Sequence, residues 1–494
     1  MVFKMKTIKN CSSLEPSALW KNFTAILNTP NPTLHEDKIV RFIKVFGESL
    51  NLETIVDEVG NVIIRKPASS GMENLKTVIL QAHIDMVPQK NSDIVHDFDN
   101  DPISAYYEDG WVKAEGTTLG ADNGIGVAAM MTILESDTIC HGPLEAVFTA
   151  TEESGMIGAH GLKYNLLTGS IMLNLDTEEE GALYVGCAGS ITSSVEYLYN
   201  EIDVSPNNEA LKLYVSGLKG GHSGVDIHLC QANANKIMNR LLRHAAKKIE
   251  LSISSIDGGG LRNAIPRESS SVITLPVKDV EFFKAVTAKL TEDIKKEYST
   301  SDPDLSVSIT STNIPEKVMN KDAQLKLLNT LYVLPNGVIR MSSDIPELVE
   351  TSTNIAQVRV FNGSINILSM TRSSVDTAKL DVCNIFDALF ELINVKPKHI
   401  GSTPGWNPDM KSAILKIAKN IYKGLYESEP LVKAIHAGLE CGLFKTAYSD
   451  LDIVSLGPTI MFPHSPDEKV CVETVGRFWV YLLELLKNIP VGIK

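Results

Sequence analysis

Apolar positions along the first part of the chain recur with two different periods. From Glu15 to Leu50 they return at helical spacing, broken at Thr29 to Thr33 (TPNPT) and resumed in an amphipathic segment from Glu36 to Leu50. Short apolar runs at Glu53 to Asp57, Asn61 to Arg65 and Thr77 to Gln81 predict strands. Gly120 to Ser136 opens polar and turns apolar at helical spacing, which predicts a helix with Asp122 or Asn123 at its cap. Leu144 to Ala150 and Ser170 to Leu175 predict two more buried strands. Alternating helices and apolar strands imply an α/β layer with a largely parallel or mixed sheet, flanked by helices, with sites gathered at strand ends.

The pattern changes after about Gly189. Half-exposed strands are predicted at Ser193 to Tyr199, Ala210 to Leu218, Glu250 to Asp257 and Ser269 to Pro276, with helices at Ala232 to Lys248 and Val280 to Tyr298. This α+β character runs to about Lys398 and predicts an inserted domain, residues 190–398, dividing the first domain into residues 1–189 and 399–494. The breaker cluster Gly401 to Pro408 leads into a helix from Asp409 to Tyr426, a strand from Ile453 to Leu456 and a final helix from Glu468 to Lys487.

Composition narrows the partners. A net charge of −14 over 494 residues argues against nucleic acid and anionic membrane surfaces, which reward Lys and Arg clusters. No apolar leader follows the basic residues of MVFKMKTIKNCSS and no run approaches a membrane span, so a cytoplasmic location is expected. The seven cysteines are scattered and never spaced as Cys-x-x-Cys, which predicts reduced packing thiols and not zinc ligands.

Candidate chemistry begins at QAHIDMVPQK, Gln81 to Lys90. His83 and Asp85 lie two residues apart, hence on one face of an extended chain, a spacing that suits a metal-bound imidazole steadied by a carboxylate. Asp122 (GADNG), Glu152 and Glu153 (TATEESG), Asp176 (NLDTEEEG) and His464 (FPHSPDE) add metal-type side chains at strand ends and loops. Adjacent residues of a strand point to opposite faces, so Glu152 and Glu153 converge only where the strand has ended. One can then hold a metal while the other reaches a water.

QAHIDMVPQK, GTTLGADNGIG, HGPLEAVFTATEESGM, NLDTEEEG, VGCAGS, GGHSG and FPHSPDE, in this order, closely resemble the aminoacyl-histidine dipeptidases, also called cytosol non-specific or PepD-type dipeptidases, within the two-metal aminopeptidase-like peptidases. The resemblance spans essentially the whole chain. It implies an aminopeptidase-like catalytic α/β domain with an inserted α+β lid domain. It implies two zinc ions, for which Co²⁺ or Mn²⁺ can substitute, held by His83, Asp122, Glu153, Asp176 and His464, with Asp122 bridging. It implies Glu152 as general base, Asp85 as the carboxylate orienting His83, and His222 as a lid residue donating to the oxyanion. Asn263, Arg372 and His436 match positions that hold the substrate ends, Arg372 facing a free carboxylate. The implied activity is hydrolysis of unblocked dipeptides, including Xaa-His, by a homodimer. A deacylase of N-acyl amino acids on the same metals is the alternative enzyme, and a catalytically silent metal-binding scaffold the alternative outside that class.

Several features carry plainer readings. GIGVAA (Gly124 to Ala129) follows no strand and reads as close helix packing instead of a dinucleotide loop. Glu178 to Glu180 read as a solvated acidic turn, Asp467 and Glu468 as a helix start, and Asp257 to Gly260 as a turn. Met130 and Met131 read as core; His96, His141, His160, His228 and His399 read as structural or surface residues.

Overall fold

The structure, a computed structural model, describes residues Cys11 to Gly492; the opening residues of the stretch expected to carry no leader lie outside them. The chain divides into two compact units, one of Met1–Gly186, Pro408–Ala434 and Leu439–Lys494, the other of Cys187–Asn407 and Ile435–Gly438. These changeovers differ from the expected 189/190 and 398/399. The difference has a local cause: Trp406 exchanges backbone hydrogen bonds with Cys187, and Thr403 with Ser190, so the Gly401 to Asn407 loop stays with the second unit.

The first unit is built on an eight-stranded sheet in the order Glu53–Val56, Val62–Lys66, Leu144–Thr149, Val78–His83, Ile171–Asn174, Asp452–Ser455, Ala182–Cys187, Leu431–Ile435. Val78–His83 pairs in parallel with both Leu144–Thr149 and Ile171–Asn174, and Ile171–Asn174 in parallel with Asp452–Ser455. All three strands of the central trio are buried along their length, which is why they read as continuous apolar runs. The helix Ala121–Glu135 is buried along nearly its whole length. Its glycines set the fit: a Cβ on Gly126 would stand 2.9 Å from the Leu175 carbonyl oxygen, and one on Gly124 3.0 Å from the Phe23 ring. A four-stranded sheet of Ile460–Met461, Lys469–Cys471, Trp111–Ala114 and Ala105–Glu108 carries the loop that holds His464 and Glu468.

The second unit is a nine-stranded sheet, with Val349–Phe361 and Ser364–Ser373 at its centre and the helices Ala234–Ala246, Val280–Glu297, Lys321–Val333 and Asp376–Glu391 around it. One core joins Leu213, Val215, Met238, Leu241, Ile273, Phe283, Ile355 and Phe386. Ser269–Pro276 has the predicted bounds. Asp257 to Gly260 does not form the expected turn; the strand Ser252–Gly259 runs through it because Gly258 and Gly259 pair with Val358 and Gln357. The final helix begins at Val472, not at Glu468, since Lys469–Cys471 is drawn into the four-stranded sheet. Among the described residues, no helix is long and apolar enough to cross a membrane.

Candidate metal centre

The carboxyl ends of the central parallel strands bring the first unit's candidate residues together. His83 closes Val78–His83 and is 1% exposed. Leu144–Thr149 ends just before Thr151, whose φ of 52° turns the chain into the left-handed region, so Glu152 and Glu153 leave strand alternation and share one site. The Thr151 hydroxyl donates to Glu36 Oε1 at 2.8 Å, which holds the turn. Asp176 follows the end of Ile171–Asn174.

Asp122 stands between two imidazoles. Its Oδ1 is 3.0 Å from His83 Nε2 and its Oδ2 3.2 Å from His464 Nε2. Asp176 Oδ1 lies 3.5 Å from His83 Nε2, and Glu153 Oε1 2.9 Å from His464 Nε2. Three groups of potential ligands result, each with its ligand atoms within 4.8 Å of one another: His83, Asp122 and Asp176; Asp122, Glu153 and His464; His83, Glu152 and Glu153. Asp122 is common to the first two.

The donor set fits hard or borderline divalent cations, imidazole and carboxylate without thiolate. Glu153 Oε1 is buried with no hydrogen bond aligned on it, although His464 Nε2 is so near. The charge balance points the same way. Burial by itself would lower His83, yet Asp176, Asp122 and Asp85 outweigh it and hold the imidazole well above its ordinary value. The hydrogen bond to Asp122 and the Glu153 carboxylate beside it push His464 up to about 11. Burial, countered by His83, leaves Asp176 raised to about 6. The carboxylates thus keep protons on the two rings, where cations of higher charge would displace them.

Asp85 reaches more than His83. The Nδ1 of His83 is bonded to the Asp85 main-chain oxygen at 3.0 Å, with Oδ1 of Asp85 farther off at 3.4 Å. The Asp85 carboxylate also accepts the backbone N–H of Glu152 at 2.9 Å and of Glu153 at 3.2 Å. One residue therefore steadies the imidazole and both glutamates.

Asp122 is no helix cap. It has non-helical torsions inside the first turn, and the side chain is spent on the two imidazoles. Glu468 takes over the capping, accepting the N–H groups of Leu119, Gly120, Ala121 and Asp122 at 2.8 to 3.2 Å with its two oxygens. Burial near Asp122 pushes its carboxyl up to about 7, against those donors. Glu178 to Glu180 are not a solvated turn either. Glu179 pairs with Lys433 at 2.6 Å and Glu180 with Arg477 at 2.9 Å, while burial beside Asp122 and Asp176 pushes Glu178 up to about 9.

Beneath the ligands lies a buried polar layer. Gln81, two residues before His83, donates to Glu440 Oε2 at 2.6 Å and accepts from Asn174, two residues before Asp176, at 2.5 Å; the Thr149 hydroxyl reaches Glu440 at 2.7 Å. Asn123 donates to Asp176 Oδ1. The same-face spacing of Gln81 and Asn174 was available in the sequence; Glu440 and Glu468 reach the site from far along the chain and left no local signal.

The family model for peptidase family M20/M25/M40 matches residues 79–488. The chain belongs to that family. This M20-type chain is accordingly a peptidase, a hydrolase. It is 43% identical over 482 residues to the cytosol non-specific dipeptidase of Escherichia coli K12, covering 97% of this chain and 99% of that protein. The crystal structure of aminoacylhistidine dipeptidase from Vibrio alginolyticus is similar with a TM-score of 0.93 and 41% identity, covering 98% of this chain and 99% of that one. A tripeptidase from Staphylococcus aureus, at 16% identity and a TM-score of 0.55 over 96% of this chain and 99% of that one, shares the fold.

The other candidate residues of this M20-type chain belong to the second unit. Arg372, on the strand Ser364–Ser373, is 7% exposed, with Nη2 at 3.3 Å from His222 Nε2. Burial lowers its guanidinium to about 10. His436 is buried, its Nε2 2.7 Å from the Ser352 hydroxyl, and burial followed by Arg372 lowers it to about 3. Asn263 is exposed; its backbone oxygen accepts from Ser223 N–H at 2.7 Å.

Proposed function

We propose that this peptidase is a two-zinc dipeptidase that hydrolyses unblocked dipeptides, Xaa-His among them, as a cytoplasmic homodimer. The observation that carries the reading is the pair of ligand groups sharing Asp122, one completed by His83 and Asp176, the other by Glu153 and His464. Zinc bound there would polarise the scissile carbonyl and make water acidic enough to attack at neutral pH. Glu152, the glutamate outside both of these groups, takes the proton of the attacking water on its carboxylate and passes it to the leaving amine. Asp85 fixes Glu152 and Glu153 through their backbone N–H groups. In the second unit, read as the lid-type domain, Arg372 binds the free carboxylate of the substrate, Asn263 and His436 hold its ends, and His222 donates to the oxyanion.

The names of the relatives, a dipeptidase and an aminoacylhistidine dipeptidase, support the substrate class, and the word cytosol in one of them supports the location. The test is release of free amino acids from Ala-His, β-Ala-His, Gly-Gly, a tripeptide and an N-acetyl amino acid by chelated protein with and without added Zn²⁺. Zinc-restored cleavage confined to free dipeptides is expected. Cleavage of the N-acetyl substrate alone would make the protein a deacylase, and no zinc-dependent cleavage would leave a binding protein.

A further inference from the structure

His222 begins a tight turn that folds back on its own ring. The backbone N–H groups of Gly224 and Val225 both donate to His222 Nδ1, each at 3.2 Å. A ring nitrogen that accepts from two N–H groups carries no proton of its own. The neutral ring therefore holds its proton on Nε2, and an imidazolium would set an N–H against two others.

That assignment changes the contact with Arg372. Nη2 of Arg372 lies 3.3 Å from His222 Nε2, and with Nε2 protonated the two are donors facing each other, not a hydrogen bond. Arg372 Nε is likewise buried without a hydrogen-bond partner. Donors converging here, with only the weak acceptor Met370 Sδ at 3.4 Å from Nη2, call for an acceptor that bears negative charge. Burial, then Arg372, lowers the imidazole, while Asp226 opposes them, so the ring stays neutral where most exposed histidines begin to charge.

The turn is built for this arrangement. Asp226 Oδ2 accepts the His222 N–H at 2.8 Å, and the Asp226 N–H donates to the His222 carbonyl at 3.2 Å. At Gly224 a Cβ would stand 2.3 Å from the His436 carbonyl oxygen and 3.1 Å from Arg372 Nε, so only glycine brings this amide to the ring.

We propose that the turn His222 to Asp226 is a tautomer lock, in which the amides of Gly224 and Val225 commit His222 to presenting Nε2–H, beside Arg372, to an anionic oxygen. Gly224 and Asp226 are its positioning residues. That the oxygen belongs to a peptide rests on the dipeptidase reading; the lock does not.

The experiment is a long-range ¹H–¹⁵N correlation on the full chain with ¹⁵N-labelled histidine at pH 7, His222 being assigned by its loss in His222→Asn. A neutral ring with unprotonated Nδ1 and protonated Nε2 is expected; a proton on Nδ1, or a charged ring, overturns the lock. Sodium acetate is the anion probe, and it should shift the Nε2 resonance; no shift overturns the anion site. Asp226→Ala should mix the tautomers and lower kcat/KM on the order of tenfold or more through misplacement of the ring. Asp226→Asn, whose amide oxygen still accepts the His222 N–H, should restore both. An unchanged single tautomer in Asp226→Ala removes Asp226 from the lock. A locked ring in a protein that cleaves no dipeptide would sink the substrate reading and leave the lock standing.

Discussion

Histidine behaves in opposite ways in the two units. In the first, His83 and His464 sit among carboxylates that raise them and keep protons on the rings. In the second, His222 and His436 sit beside a buried arginine, and burial with that arginine lowers both. The side chain is the same; the neighbouring charge decides its role. Acid-lined imidazoles make a place for cations, whereas arginine-lined imidazoles stay neutral and make a place for anions. A metal-activated peptide hydrolase needs both.

The sharpest way to break the acidic half is Glu152→Gln. It removes the proposed proton carrier and leaves the shape, so turnover should fall on the order of 10² to 10⁴-fold with metal content unchanged. Metal analysis beside steady-state kinetics checks it, and near-normal turnover would take Glu152 out of the role of base. Glu468→Ala tests how the acidic half is held. Four backbone N–H groups, those of Leu119 to Asp122, lose their acceptor, and metal affinity should drop roughly 10 to 100-fold, as for other groups that orient a ligand. Competition with a chelating dye measures this. Unchanged affinity would mean that Asp122 is placed by the strand ends alone.

In the basic half, Arg372→Met should raise KM for free dipeptides roughly tenfold or more, the loss expected from removing hydrogen bonds to a charged group. Dipeptide amides, which lack that carboxylate, should be affected much less. An equal change for both would mean that Arg372 does not meet the carboxylate.

How legible these halves were follows from how local their causes are. Val78–His83, Leu144–Thr149 and Ile171–Asn174 could be read because each is buried on both faces and leaves an uninterrupted apolar run. The metal-type side chains just past their ends could be read from the same runs. Glu468 could not: a Pro-Asp-Glu sequence has the look of a helix start, and only the pairing of Lys469 to Cys471 with Trp111 to Lys113 shows that its carboxylate caps a helix hundreds of residues earlier. Glu440 was hidden for the same reason, being drawn beneath the sheet to Gln81 and Thr149 by the fold and not by its neighbours. In the second unit, Arg372 and His222 stood out by family likeness; that His222 is committed to one tautomer depends on a turn whose hydrogen bonds no periodicity records.

A further effect is one of stability, and its sign is set by His436. Burial and Arg372 lower its pKa to about 3 in the folded chain, against an unfolded value near 6.5. Between those values the unfolded state binds the extra proton, so the histidine makes the fold lose stability as pH falls from about 6.5 toward 3, by at most about 1.4 kcal/mol per pH unit. His436→Gln cannot take up that proton. Its stability, measured by denaturant unfolding at steps through this range, should fall less steeply than that of the unsubstituted protein, whatever offset the lost contact with Ser352 adds at neutral pH. Parallel curves would mean that His436 can protonate in place, and that the basic half is less firmly closed to positive charge than its arginine implies.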